Sequence, residues 1–131
     1  MSTWGYFNFD NDAAADFAGS FRDNPDDSEL RRTLEVVAAE DGSTLADDTS
    51  EALAAAEIVA AILGKPSRDF PADLLLVIGK IDGRRGEHLR ELAQKAVSNI
   101  TRNSELQAFW SGTDDAKNWQ QLQKELLERL K

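Results

Sequence analysis

Three aspartates near the start of the chain, Asp10, Asp12 and Asp16, are the residues whose type and spacing could do chemistry. Carboxylates can bind a divalent cation or act as an acid and a base, and Asp12 and Asp16 share a face if the segment is helical. A calcium loop is not completed, because Ala13 stands at its glycine position and Gly19 at its closing glutamate position. The alternative is that these aspartates cap a helix and stabilise its N-terminal end.

Glu57 is the second candidate, because it lies within residues 52–63, where all the other residues are apolar. A buried carboxylate must be paired or must have a raised pKa, and such groups are enriched at functional sites. The alternatives are that Glu57 faces the one solvated edge of its helix, or that it pairs with an arginine. An enzyme would need Asp12, Asp16 and Glu57 to converge on a pocket. The chain has no cysteine and one histidine to assist them, so the sequence identifies no catalytic residue, metal site or cofactor.

The N-terminal segment carries four aromatic residues within six positions: Trp4, Tyr6, Phe7 and Phe9. So much apolar area is unusual in a loose terminus, and we expect the segment to pack on the rest of the protein. If it only closes the fold, Trp4, Phe7 and Phe9 should be buried. The alternative is a binding surface with an exposed aromatic residue inside an acidic rim. Its candidate partner-binding residues are Trp4, Tyr6, Asp10, Asp12 and Asp16.

The net charge of −9 is unevenly distributed along the chain. Residues 1–57 hold 14 acidic and 3 basic side chains, a balance of −11, whereas residues 58–131 hold 10 acidic and 12 basic ones, a balance of +2. Binding to a phosphate backbone needs clustered lysines and arginines, so nucleic acid is not expected as a partner. An acidic surface can instead attract a basic protein. The alternative is that the acidic residues serve solubility and helix N-termini.

Targeting signals are not evident in the sequence. The absence of cysteine favours a reducing compartment, and the N-terminus lacks the basic and apolar regions of a secretory signal. The longest unbroken apolar stretch, residues 74–78, is far shorter than the roughly 20 residues that span a bilayer. We therefore expect a cytoplasmic protein without a membrane segment, and the oligomeric state stays open.

Apolar spacing predicts helices through most of the chain, in a single domain over residues 1–131. We expect a compact all-α bundle of five to seven helices with the aromatic N-terminal segment packed on it. Asp10 or Asp12 is expected to cap the first helix, and Asp26 the second. The third helix is expected to begin near Asp48 and, because it is so apolar, to be central. Residues 71–81 are expected to form a short helix, although a buried strand is the alternative.

Residues 4–16, which read WGYFNFDNDAAAD, resemble the start of the bacterial family called domain of unknown function 4259. Residues 52–61, residues 103–110 and Trp119 before a leucine-rich final helix also resemble it, so the resemblance covers nearly the whole chain. It implies a small, mostly helical bacterial cytoplasmic protein, and it implies no established activity. Families of this size and acidity often serve as immunity proteins that neutralise a toxin, which is an analogy for a binding role.

Two functions from different classes follow from these patterns. The first is a protein-binding module, with an immunity or antitoxin-like role as one form, that engages a basic partner through its acidic N-terminal half. The second is a metal-dependent or acid/base enzyme that uses Asp10, Asp12 and Asp16. The exposure of Trp4 and the surroundings of Glu57 distinguish a binding surface from a purely structural segment and from an active site.

Overall fold

A computed structural model describes residues 3–131 and shows eight α-helices in that range. The helices are α1 (Asp12–Asp23), α2 (Asp27–Ala38), α3 (Ala46–Ile62), α4 (Ala72–Ile78), α5 (Arg84–Glu87), α6 (Arg90–Arg102), α7 (Glu105–Ser111) and α8 (Ala116–Arg129). Over the described residues the only extended pairing is an isolated antiparallel bridge between Thr3 and Asn11. The all-α prediction is confirmed, but the number of helices exceeds the expected five to seven.

The extra element is α5, a single turn that precedes α6. Such a short helix has no apolar period of its own, so the sequence pattern cannot separate it from the turn after Asp82. Gly86 is buried within α5, and a Cβ there would meet the Ile62 side chain at 2.9 Å. The glycine therefore lets this turn lie directly on the end of α3.

Helix α3 is the centre of the bundle, as its apolar run predicts. It packs against α1, α2 and α6, and every residue from Ala52 to Ile62 is buried. Five of its alanines are completely inaccessible to solvent: Ala52, Ala54, Ala55, Ala56 and Ala60. The small side chains allow the neighbouring helices to approach the α3 backbone closely. Gly64, with φ of 92°, ends the helix in a conformation that favours glycine.

Several helix starts differ from the sequence expectation. Asn11, and neither Asp10 nor Asp12, caps α1, because its Oδ1 accepts a hydrogen bond of 2.9 Å from the Ala14 backbone N–H. Helix α3 begins at Ala46, two residues before the expected Asp48, and Asp48 does not cap it. Its cap comes from another helix, since Glu105 Oε1 accepts from the Ala46 N–H at 2.7 Å. A tertiary cap of this kind leaves no local sequence signal.

Other expectations are met by the described part of the chain. Asp26 caps α2 by accepting from the Ser28 N–H at 2.9 Å, and the segment after Pro71 is the helix α4 and not a strand. Trp110 and Trp119 are buried in the core. No helix within residues 3–131 combines the length and the apolar character that crossing a bilayer requires.

Candidate functional site

Residues 3–11 form a closed loop, here called the N-terminal loop, in front of α1. The Trp4 backbone N–H donates to the Asp10 carbonyl at 2.9 Å, and the Asp10 N–H donates to the Phe7 carbonyl at 3.0 Å. The Thr3 hydroxyl bonds to the carbonyls of Gly5 and Asp10, both at 2.8 Å. These bonds bring the two ends of the loop together at the bridge between Thr3 and Asn11. The loop is therefore a folded unit and not a loose terminus.

The Asp10 carboxylate lies against the Cα of Gly5. A Cβ at position 5 would overlap with Asp10 Oδ2, so any residue other than glycine there requires the Asp10 side chain to move. Burial raises the pKa of Asp10, and the nearby Asp69 carboxylate adds to this, although the Phe7 backbone N–H and the Trp4 indole favour the ionised form.

The aromatic residues of the loop divide into an inner and an outer set. Phe9 is buried and packs edge-on against Phe70, with ring centroids 5.5 Å apart. Trp4 is 63% exposed and Phe7 is 37% exposed. Tyr6 is half-buried and stacks on Phe7 at 4.6 Å. The expectation that Trp4, Phe7 and Phe9 are all buried is wrong for the first two.

Asp12 and Asp16 lie exposed on one face of α1, four residues apart. Asp16 also borders a surface groove of about 580 Å³ between α1, α2 and the start of α3. The charged residues of this groove are Asp16, Asp23, Asp26, Glu29, Arg32 and Glu51. Arg32 is already paired with Glu29 at 2.7 Å, so the groove has an excess of negative charge.

Glu51, a partly buried carboxylate at the edge of this groove, has a raised pKa. Partial burial raises the pKa of Glu51, and the carboxylates of Asp48 and Asp47 raise it further. Within residues 3–131 it makes no ion pair; the cation Arg32 stabilises its ionised form only at a longer range. A positive group in the groove would relieve this repulsion.

Glu57 is 1% exposed and is held by partners from both ends of the chain. The side-chain amide of Asn8 donates to Glu57 Oε2 at 2.8 Å. Asn8 also exchanges two hydrogen bonds with Gln123 of α8, at 2.7 Å and 3.1 Å. Arg129 Nη2 lies 2.9 Å from Glu57 Oε1. We call these four residues the Asn8 network.

The ionised form of Glu57 is only partly stabilised within the Asn8 network. Burial raises the pKa of Glu57, and neither the Arg129 guanidinium nor the Asn8 amide offsets it fully. The Arg129 N–H is not aligned on Glu57 Oε1, which receives no hydrogen bond from the described residues, so this contact is an ion pair by distance alone. Arg129 is also 20% exposed and donates to the Lys65 carbonyl at 3.1 Å. Glu57 therefore pairs with an arginine, which was one of the alternatives for it.

The structure places the candidate acidic residues in two different environments. Asp12 and Asp16 are exposed on α1, whereas Glu57 is enclosed in α3 with Arg129 as its counter-ion. Among residues 3–131, no three histidine, cysteine, aspartate or glutamate side chains are grouped closely enough to hold a metal ion. The geometry brings together Trp4, Tyr6 and Asp10 in the loop, with Asp12 and Asp16 following on α1.

Sequence reasoning missed Asn8, Gln123 and Arg129. Gln123 had a detectable signal, since it follows Trp119 by four residues and precedes Leu126 by three, a spacing typical of a buried helix face. A polar residue at such a position predicts a buried hydrogen bond. Asn8 had no such signal, because its neighbours are aromatic and its partners lie far away in the chain.

One of the comparisons with known proteins identifies a family, and that family has no assigned function. A model of the family described as "Domain of unknown function (DUF4259)" matches residues 2–122. No curated protein and no solved structure matches the chain. Since the family model covers most of the sequence, the chain belongs to the family of domain of unknown function 4259.

Proposed function

We propose that this protein is a bacterial, cytoplasmic protein-binding module that presents its N-terminal loop and the acidic face of α1 to a basic partner. The observation that carries the proposal is that Trp4 is 63% exposed although its loop is folded. Placing a large aromatic side chain in water has a free-energy cost, which a binding partner would remove by burying it. A loop already held in shape loses little freedom on binding.

The surroundings of Trp4 favour a basic partner. Asp10 is in the same loop, and the exposed Asp12 and Asp16 follow on α1. The acidic groove next to Asp16 extends this charge to α2 and α3. An apolar anchor with a rim of one charge favours a partner that has an apolar pocket bordered by lysines or arginines. In its most concrete form the partner is a toxin and this protein neutralises it, by analogy with acidic immunity proteins.

The proposal is tested in two steps. The tagged protein is used to capture partners from a lysate of its source cells at low and moderate salt, and a recovered partner is then titrated in purified form. We expect the affinity to fall with salt, because the exposed charges are screened. Trp4→Ala should weaken binding by at least about tenfold, as expected for a central aromatic anchor.

Matched variants separate specific contacts from general effects. Leu76→Ala removes another exposed apolar side chain, 73% accessible, from α4 and should leave binding unchanged. Asp12→Asn with Asp16→Asn removes two charges at the loop, and Asp41→Asn with Asp114→Asn removes two exposed charges elsewhere. Only the first pair should slow association and reduce the salt dependence. The proposal is refuted if the affinity does not change with salt, with Trp4→Ala or with the Asp12→Asn and Asp16→Asn pair.

A further inference from the structure

The N-terminal loop is bonded mainly to itself. Its backbone hydrogen bonds join Trp4 to Asp10 and Asp10 to Phe7, and the Thr3 hydroxyl adds two more inside the loop. At its end the loop continues into α1 through the cap made by Asn11. The loop can therefore keep its shape without help from the rest of the bundle.

Its hydrogen bonds to the body of the protein, beyond the α1 cap and within residues 3–131, all pass through one side chain. The Asn8 amide bonds to Glu57 and Gln123, with three hydrogen bonds in total. The other attachments are apolar, through the buried Phe9 and the half-buried Tyr6. Asn8 thus provides the hydrogen bonds that attach the N-terminal loop to α3 and α8.

The loop covers an aromatic wall of the core. Between the loop and the helices remains a cavity of about 10 Å³, the size of about one water molecule, bordered by Leu53, Leu106, Trp110 and Trp119. Trp119 is 2% exposed and Trp110 is 8% exposed. Detachment of the loop would uncover these indole rings together with Glu57 and Gln123.

We propose that residues 3–11 open and close as one cooperative unit, and that the bonds of Asn8 to Glu57 and Gln123 set the balance between the two states. A segment with few attachments to the core opens at a lower free energy than the whole molecule unfolds. The loop meets this condition in its hydrogen bonding, because Asn8 provides its bonds to α3 and α8 and the remaining attachment is the packing of Phe9, Tyr6 and the partly covered Phe7. This inference concerns the protein alone and does not depend on the proposed function.

Amide hydrogen exchange followed by NMR tests the proposal directly. The Trp4 and Asp10 amides, both hydrogen-bonded inside the loop, should exchange with one common protection factor. That factor should be lower than the protection of the Val97 amide in the buried part of α6. Exchange of all three amides at the rate of global unfolding would overturn the proposal, as would clearly different protection of the two loop amides.

Asn8→Ala tests whether the hydrogen bonds of Asn8 hold the N-terminal loop closed. It should raise the exchange rates of the Trp4 and Asp10 amides by the same factor, about tenfold or more, because it removes three hydrogen bonds to the body of the protein. The opening free energy of the two loop amides should fall relative to the free energy of global unfolding. The opening free energy of the Val97 amide should not fall relative to it. Asn118→Ala, which alters an exposed asparagine on the same protein, is the control and should have no effect.

Fluorescence gives an independent measurement of opening. Trp4→Phe leaves only Trp110 and Trp119, both buried, as emitters. Adding Asn8→Ala to this variant should increase acrylamide quenching of the remaining tryptophans while the helical circular dichroism signal is retained. Unchanged quenching in the double variant, with its loop amides exchanging as in the parent, would show that Asn8 does not control the loop.

Discussion

Asn8 and Gln123 exchange two hydrogen bonds across 115 positions of sequence, with Gln123 Nε2 donating to Asn8 Oδ1 at 2.7 Å and Asn8 Nδ2 donating to Gln123 Oε1 at 3.1 Å. Both side chains are buried, so Gln123 depends on Asn8 for these two bonds, and the Asn8 carbonyl oxygen depends on Gln123 for its donor. This pair joins the N-terminal loop to the last helix. The loop that presents Trp4 is consequently attached to the end of the chain farthest from it in sequence.

Replacing Gln123 with alanine should destabilise the protein. The change leaves the Asn8 carbonyl oxygen buried without its donor, which costs about 1–3 kcal/mol. The measurement is the free energy of unfolding from urea denaturation. Gln120→Ala, on an exposed position of the same helix, is the control and should change the stability by less than about 0.5 kcal/mol. Equal effects of the two variants would contradict the importance of the pair.

The two halves of the Glu57–Arg129 ion pair should respond differently to removal. Arg129→Met leaves the buried Glu57 carboxyl group without its counter-charge, so that it must either stay charged alone or take up a proton, and should cost about 3 kcal/mol. Glu57→Gln keeps an acceptor for the Asn8 amide, and Arg129 can reach water because it is 20% exposed, so we expect a loss under about 1 kcal/mol. Urea denaturation at pH 7 compares them. The double variant should be more stable than Arg129→Met alone, and a lower stability would refute this account.

The pH dependence of stability should carry the signature of Glu57. Its pKa is raised above the ordinary value of 4.5 in the folded protein, so the folded state binds this proton more tightly than the unfolded state. The favourable contribution is fully present below pH 4.5 and is lost as the pH rises through the folded pKa. Stability of the parent should therefore fall relative to Glu57→Gln over that interval.

This difference isolates Glu57 from the other carboxylates. Asp26, Asp73, Asp82 and Glu87 have lowered pKa values because of hydrogen bonds from neighbouring residues, and they act in the opposite direction with pH. They are common to the parent and the variant, so they cancel in the comparison. A stability difference that does not change with pH would mean that the Glu57 pKa is not raised.

Gly5→Ala should destabilise the N-terminal loop. The new Cβ would overlap with the Asp10 carboxylate, and overpacking of this kind costs about 1–3 kcal/mol. Gly19→Ala is the matched control, because its Cβ would meet its nearest atom at 3.7 Å and alanine is the better helix former in α1. Thermal and urea unfolding should show a loss for the first variant and a gain of up to about 1 kcal/mol for the second. If Asp10→Ala does not reduce the cost of Gly5→Ala, the steric explanation is wrong.

Trp4→Ala should leave the stability nearly unchanged, within about 1 kcal/mol, because most of the indole is already in water. A buried tryptophan would instead cost about 3–5 kcal/mol. Phe9→Ala, which removes a buried ring of the same loop, provides the contrast and should be strongly destabilising. Urea denaturation of the two variants distinguishes a presented side chain from a structural one.

The fold was predictable where the cause is local. The apolar run of α3 predicts its burial, and Asp26 and Pro71 mark helix starts through their own backbone chemistry. The cap of α3 could not be predicted from the local sequence, because it comes from Glu105 in another helix. The turn α5 was missed because four residues cannot display an apolar period.

For the candidate site, only the types of residues could be predicted from the sequence, and not their arrangement. The sequence identifies an aromatic and acidic segment, but residue type does not tell which aromatic ring faces the core. In the structure the inner ring is Phe9, and the neighbouring Asn8 is bonded to Gln123 and Glu57, which lie far away in the sequence. The arginine partner of Glu57 was among the expectations, but its identity as Arg129 required the tertiary structure.

The alanines of α3 also affect the entropy of folding. An alanine side chain has no rotamers to lose, so packing Ala54, Ala55 and Ala56 at the centre of the bundle carries almost no side-chain entropic cost. The buried residues of α3 that do lose rotational freedom on folding are its larger ones, such as Leu53, Ile58 and Val59. The entropic cost of ordering the side chains of this helix therefore falls on those few positions and not on the alanines between them.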